Sequence, residues 1–407
     1  MPQSLFLPAA LLLALAACAA LSAFNIPRSA FAAAPATAPS SQAAATSRTE
    51  PPPPRTSARN LYSLPYVETL LRTATWGYID PTGKVIIEPT FQQAEGFSQG
   101  LAAVQMDGRW GYINTAGKTV IKPQYDAAGP FTDGLAAVQV QKKWGYISAA
   151  GKVVAEPQFQ TARPFHEGRA VIVVDGQYGF INPLGQVVIP AQFAYASDIS
   201  EGLAVVKVHD KAGFIDPVGK MVIPETFDAA EPFHEGLAAV MVAPGRWRFI
   251  TPSGQFAFPG EWGNARSFSQ GRALVQPIKV GPYGYIDATG KEVIPAKYWE
   301  ASPFSGGLAH VAEKNNETGL WGYIDAAGQT VFENKRISAA FHDGRAWAQV
   351  LDPTGQRPLG NCGFVDFAGA LVIPATFEWA KEFSEGLAPF ATGCDHAGVR
   401  ILQQVDH

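Results

Sequence analysis

Cysteine is scarce in this chain, three residues in 407, and with only seven histidines it builds no zinc spacing. Charge is thin as well: charged residues make up 16 % and the formal net charge is −4, so the basic footprint of a nucleic-acid binder is missing. No phosphate-binding glycine loop and no calcium loop of alternating acids occurs either. Those absences argue against a metal, a cofactor and an enzymatic reaction. What is abundant is turn chemistry, with 40 glycines and 32 prolines, beside a hydrophobic fraction of 47 % that is ample for a core. Many short strands fit that balance better than long helices, so the expected class is all-β.

The first 32 residues read as an export signal or lipoprotein anchor. Residues 5–24 are almost unbroken apolar chain, with no Lys or Arg before them to supply the usual positive leader. Leu15-Ala16-Ala17-Cys18 resembles a lipobox, which would lipidate Cys18, whereas Ala30-Phe31-Ala32 suits ordinary cleavage. The run is also long enough to remain as an uncleaved membrane anchor. All three routes put the rest of the chain outside the cytoplasm, as a periplasmic, outer-membrane lipoprotein or secreted protein. Residues 33–60, rich in Ala, Pro and Ser, read as a disordered tether that cannot bury a core.

Residues 61–407 carry an internal repeat. Trp76-Gly77-Tyr78-Ile79 recurs at Trp110, Trp144, Tyr178, Ala212, Trp247, Tyr283, Trp321 and Cys362, and the first four intervals are 34 residues each. Seven residues after each leading position stands a glycine, from Gly83 to Gly369, preceded by sequences such as Asp80-Pro81-Thr82. That spacing predicts a type I turn closed by a left-handed glycine, hence a hairpin. The second strand follows, as in Val85-Ile86-Ile87, and the proline after it in eight of nine units is expected to end it. A connector with Phe91, Ala94 and Phe97 leads to a third, half-buried strand such as Leu237-Ala238-Ala239-Val240. Each unit is thus a β-meander, with room for a fourth strand in the connector. A degenerate tenth hairpin follows at residues 397–401.

On these residues the chain resembles the WG-repeat family, in which Trp-Gly pairs recur in exported and surface bacterial proteins. The resemblance implies a β-rich repeat module without an assigned reaction. Three units depart from it, with Ala212 and Cys362 replacing the aromatic and Arg248 replacing the glycine, and those units are expected to pack more loosely or twist differently. The leading aromatics Trp76, Trp110, Trp144, Tyr178, Trp247, Tyr283 and Trp321 read as core packing between units, since they bury large areas. Trp262, Trp299, Trp347 and Trp379 lie outside that position and are candidates for an exposed binding surface. The chain opens on a hairpin and closes on a third strand, the offset with which a β-propeller completes its first blade. A propeller-like ring is therefore favoured slightly over an open twisted array.

Length variation points to function. The gap from the glycine before the third strand to the next leading residue is 10 through Gly202, then 11, 12, 14 and 18. Insertions in repeat arrays map to loops on one face, often the binding face. Asn315, Asn316, Thr354, Gln356 and Arg357 are the candidate contact residues. The acids at turns, such as Asp80, Glu167, Glu201, Glu235 and Glu385, and His166, His234 and His342 in one shared register, read as structural turn residues. Cys362 and Cys394 are a candidate disulfide once the leader is removed. The expected function is non-catalytic binding or scaffolding at the bacterial cell envelope, toward a protein or cell-wall polymer. The alternative is a carbohydrate-recognising or carbohydrate-processing propeller, to be favoured by tryptophans converging on a pocket with two carboxylates. Neither ligand identity nor oligomeric state is legible.

Overall fold

The computed structural model describes residues 74–278, 281–313, 321–333, 340–351 and 358–393, and all of the following concerns those residues. The leader, the tether, Cys18, Cys394, the tenth hairpin and all five candidate loop residues lie outside them. The described chain is all-β, without a helix.

The unit is clearest after the first hairpin, β1 (Thr75–Ile79) and β2 (Val85–Phe91). A two-residue strand β3 (Gln93–Ala94) then pairs with β4 (Leu101–Met106), which pairs with β5 (Arg109–Asn114), which pairs with β6 (Thr119–Tyr125). The connector therefore does supply a fourth strand. The order is antiparallel throughout, and the same four-stranded sheet recurs around the chain. Nine sheets result, seven of four strands and two of three. They are the nine blades of a β-propeller.

Closure is explicit in the strand pairing. The final strand, Ala388–Thr392, lies between β1 and the short strand Trp379–Ala380, with Thr75 opposite Thr392 and Ile79 opposite Ala388. The offset between hairpins and third strands thus completes blade 1 from both ends of the repeat region. The ring is chosen over the open array.

Burial explains the blade. β4 is Leu-Ala-Ala-Val at its start and fully buried there, because an inner strand has a neighbouring blade on each face. β2 alternates between buried and exposed positions, as an edge strand does, with Ile87 and Phe91 inward and Ile86 43 % exposed. Between blades the Tyr or Phe of the repeat is the rivet. Tyr78 is fully buried and meets Phe97 at 4.9 Å, and its hydroxyl donates to the Glu95 carbonyl at 2.8 Å. Tyr112 repeats both contacts with Phe131 and Gly129. Burial raises the ionisation of Tyr78 far above the usual tyrosine range, so the hydroxyl stays a donor. Trp76 is nearly buried, but Trp110, Trp144, Tyr178, Trp247 and Tyr283 are half-buried, so the deepest aromatic is the third residue of the motif.

The glycine of the motif has a separate cause. A Cβ on Gly77 would lie 2.4 Å from the Ile87 carbonyl oxygen and 2.8 Å from the Pro89 nitrogen. The outer strand crosses directly over this residue before leaving for the next blade, and the pairing shifts register on either side of the crossing. The proline therefore sits in a bulge and does not end the strand: β2 runs on through Pro89 to Phe91, where an edge position needs no ladder donor.

The same cause corrects the expectation for the divergent units. Blades with Ala212 and Cys362 keep a regular hairpin, Ala212 opposite Phe227 and Cys362 opposite Phe377, because Gly213 and Gly363 preserve the crossing. Only the unit with Arg248 loses its outer strand. There a side chain occupies the crossing, and the following segment is held by the isolated bridges Trp247 to Trp262 and Ile250 to Phe256.

Candidate binding surface

Antiparallel order gives each blade two ends. One carries the hairpin turns and the turns before the third strand. The other carries the third-strand loops and the crossings between blades.

At the first end the repeated polar residues are committed to structure. Asp80 Oδ1 accepts from the Thr82 amide at 2.9 Å, the Thr82 hydroxyl at 2.6 Å and the Lys84 amide at 3.1 Å, with Gly83 in the left-handed region at φ 85°. The Thr82 hydroxyl bond above all holds the Asp80 carboxyl below its usual range. The polar residue before the third-strand turn reaches the next blade in eight of the nine units. Glu167 accepts from the Glu201 and Gly202 amides, both at 2.8 Å, and Glu201 accepts from the Glu235 and Gly236 amides at 2.5 and 2.8 Å. Glu385 does the same for Gln99 and Gly100 at 2.6 and 2.8 Å, across the closure, while Gln99, Asp133, Glu235, Gln270 and Asp343 each accept one amide of the following blade. The position is filled by Gly306 in the remaining unit, so one junction of nine lacks this clasp. At the other eight junctions a single side chain spans the gap, which places these turns on the inner circumference, where blades converge. His166, His234 and His342 are exposed turn residues in the same ring.

The second end is where the units differ. The third-strand turn is tight at Asp107-Gly108 and lengthens in sequence along the chain, while Asn315, Asn316, Thr354, Gln356 and Arg357 lie outside the described residues. Of the four tryptophans expected to be exposed, only Trp299 is, at 41 %. The other three are corrected by their register. Trp262 stands eight residues after its turn glycine, as Phe91 and Phe227 do, and its ring packs at 5.4 Å from Phe249. Trp379 packs half-buried on the blade 1 core, and Trp347 lies between the last two clusters. Cys362 is buried, and its expected partner lies outside the described residues.

A groove of about 440 Å³ opens beside Trp262, between the irregular outer segment of the Arg248 unit and the next blade. Trp262, Val275, Pro277 and Ile278 give it an apolar wall, and Glu261 and Glu292 give it two carboxylates. Glu261 is held by Arg246 at 2.8 Å. In the sequence Trp262 and Arg248 stand out separately; what joins them is that the Arg248 side chain displaces the strand that fills this place elsewhere. Among the described residues no three His, Cys, Asp or Glu side chains are grouped to hold a metal ion, and no helix is long and apolar enough to cross a membrane.

The model of the WG containing repeat matches eight segments, residues 76–110, 110–144, 144–178, 178–211, 213–243, 247–276, 283–316 and 363–393. The chain belongs to this WG-repeat family. No curated protein matches it. Among solved structures it is similar to a eukaryotic initiation factor at 13 % identity, covering 79 % of this chain and 98 % of that one with a TM-score of 0.49. It is also similar to BamB from Moraxella catarrhalis at 10 % identity, 74 % and 96 % coverage and a TM-score of 0.42. The computationally designed Ika8 protein follows at 13 % identity, 68 % and 93 % coverage and a TM-score of 0.38. The WG-repeat propeller rests on its own strand pairing and not on these distant likenesses.

Proposed function

We propose that this WG-repeat propeller is a non-catalytic binding or scaffolding module exported to the bacterial cell envelope, and that it contacts a protein or a cell-wall polymer through its long-loop end. One observation carries the reading. Most repeated polar residues at the other end are tied into turns and inter-blade clasps, whereas nearly all the length variation between units falls in the third-strand loops. A rigid ring presenting dissimilar loops from a shared rim is the arrangement of a binding scaffold. The export leader, whether it leaves a lipid on Cys18 or is cleaved, would set the ring outside the cytoplasm. Replacing residues 315–318 and 354–357 by short Gly-Ser links tests it. Capture from envelope extracts by the full chain, lost on that replacement with an unchanged melting temperature, supports the reading. Equal capture by both proteins contradicts it.

A further inference from the structure

The groove beside Trp262 has a structural origin that no other blade shares. Arg248 takes the place of the crossing glycine, and its guanidinium lies 3.5 Å from the Phe256 ring centre, so the outer segment swings clear of the sheet. Trp262 then occupies the site of a repeat phenylalanine. Two edge-on contacts fix its ring, Phe249 at 5.4 Å and 75° and Phe258 at 5.9 Å and 84°. A Cβ on Gly260 would come within 2.8 Å of the ring, which tucks under that backbone. The result is a rigid, half-buried indole beside a groove within the roughly 300–1,000 Å³ range of small-molecule sites.

The wall chemistry selects among ligands. An extended peptide would need a free strand edge, but the Trp247 amide and carbonyl are both paired with Trp262, at 2.8 and 3.0 Å, and the Phe249 carbonyl accepts from Ala257 at 2.9 Å. Among the described residues the groove is lined by two glutamates and by no lysine or arginine, the nearby Arg246 being paired with Glu261, which disfavours anionic ligands and nucleic acid. A purely lipidic ligand would strand the carboxylates. A neutral sugar satisfies both halves: its C–H face lies on the indole and on the half-exposed Ile278, and its hydroxyls donate to Glu261 and Glu292. Glu261 is already oriented by Arg246, so little side-chain freedom is lost when it accepts.

We infer that the groove between the Arg248 blade and the next one is a binding site for a neutral oligosaccharide, with Trp262 and Ile278 as the platform and Glu261 and Glu292 as hydroxyl acceptors. The inference rests on the reading of the long-loop end as a binding surface and names a ligand class for one part of it. The test is calorimetric titration of the full chain with cellohexaose, chitohexaose and maltohexaose. At least one binds with a Kd near or below about 1 mM, the strength that a single stacked sugar site supports. Glu292→Ala alters an exposed outer-strand position, and Trp262→Phe installs the residue most blades carry there, so both variants fold. Each weakens binding by about tenfold or more. The loop-replaced protein, changed only at 315–318 and 354–357, binds the sugar as the parent does. No heat from any of the three sugars at about 10 mM overturns the inference, as does equal affinity in parent and both variants. Either failure leaves the loop reading standing if envelope capture still depends on the loops.

Discussion

Replacing Gly111 by alanine tests why Trp-Gly recurs. A Cβ there would stand 2.5 Å from the Ile121 carbonyl oxygen, 2.7 Å from the Pro123 nitrogen and 2.9 Å from the Lys122 carbonyl carbon. Ordinary contact distance is about 3.5 Å, so the outer strand must move by roughly 1 Å, and every obstructing atom is backbone. Overpacking of this kind costs about 1–3 kcal/mol and sometimes more, while the alanine recovers only about 0.4–1 kcal/mol through the unfolded chain. Gly111 lies outside the left-handed region, so backbone strain adds nothing. With every obstructing atom in the backbone the upper end of that cost applies, and the net expectation is destabilisation by about 2 kcal/mol. Gly322 is the internal control. Its Cβ would meet only the Phe332 carbonyl oxygen at 2.9 Å, with the next atom at 3.6 Å. Gly322→Ala should cost about 1 kcal/mol. Scanning calorimetry reads the difference as a melting temperature about 3 °C lower for Gly111→Ala and about 1–2 °C lower for Gly322→Ala. If Gly111→Ala melts with the parent, or the two variants fall equally, the crossing strand is not what requires glycine.

Two further outcomes follow from the ring. Glu201→Ala removes an acceptor for two backbone amides of the next blade, and since the site is exposed the loss should be about 1–2 kcal/mol, read as faster amide exchange at Glu235 and Gly236. The Asp343 and Gly344 amides, which face Gly306 and so lack this clasp, should exchange faster than their counterparts in the parent protein. His310 is pushed down to about 4 by burial, from a usual 6.5. Its stabilising effect as a neutral side chain is whole above pH 6.5 and is lost as pH falls to about 4, because the unfolded chain takes up the proton first. At about 1.4 kcal/mol per unit the loss approaches about 3 kcal/mol. Melting curves of the parent should fall more steeply over that window than those of His310→Ala, which places there the residue that Ala103 and Ala137 provide in their units. Parallel curves would contradict the assignment.

Periodicity made the unit legible, because each turn glycine and each inward aromatic is forced by geometry that repeats with the blade. The closure was legible too, as an offset between two series of strands. What the chain order hid were contacts between residues one repeat apart. Glu201 reads as a turn residue, and nothing in its neighbourhood shows that its carboxylate belongs to Glu235 and Gly236. The prolines suggested strand ends, since a ladder donor is missing, but the strand is an edge and bulges there. Trp262 and Trp379 were misplaced because a tryptophan outside the leading position drew attention as an oddity, although counting from Gly254 and Gly369 puts them in connector register. Arg248 was visible as a departure, and only the crossing over Gly77 and its equivalents shows why it matters more than Ala212 or Cys362.

The central claim is the closed ring of nine blades, and a crosslink across the closure tests it most directly. Thr75 on the first strand stands opposite Thr392 on the last. In a Cys362→Ala, Cys394→Ser background, Thr75→Cys with Thr392→Cys should oxidise to an intramolecular disulfide, found by peptide mass mapping of the native protein and absent when oxidation follows unfolding and dilution. If the native protein keeps both thiols free, or joins them only between molecules, the chain is an open array and the ring is wrong.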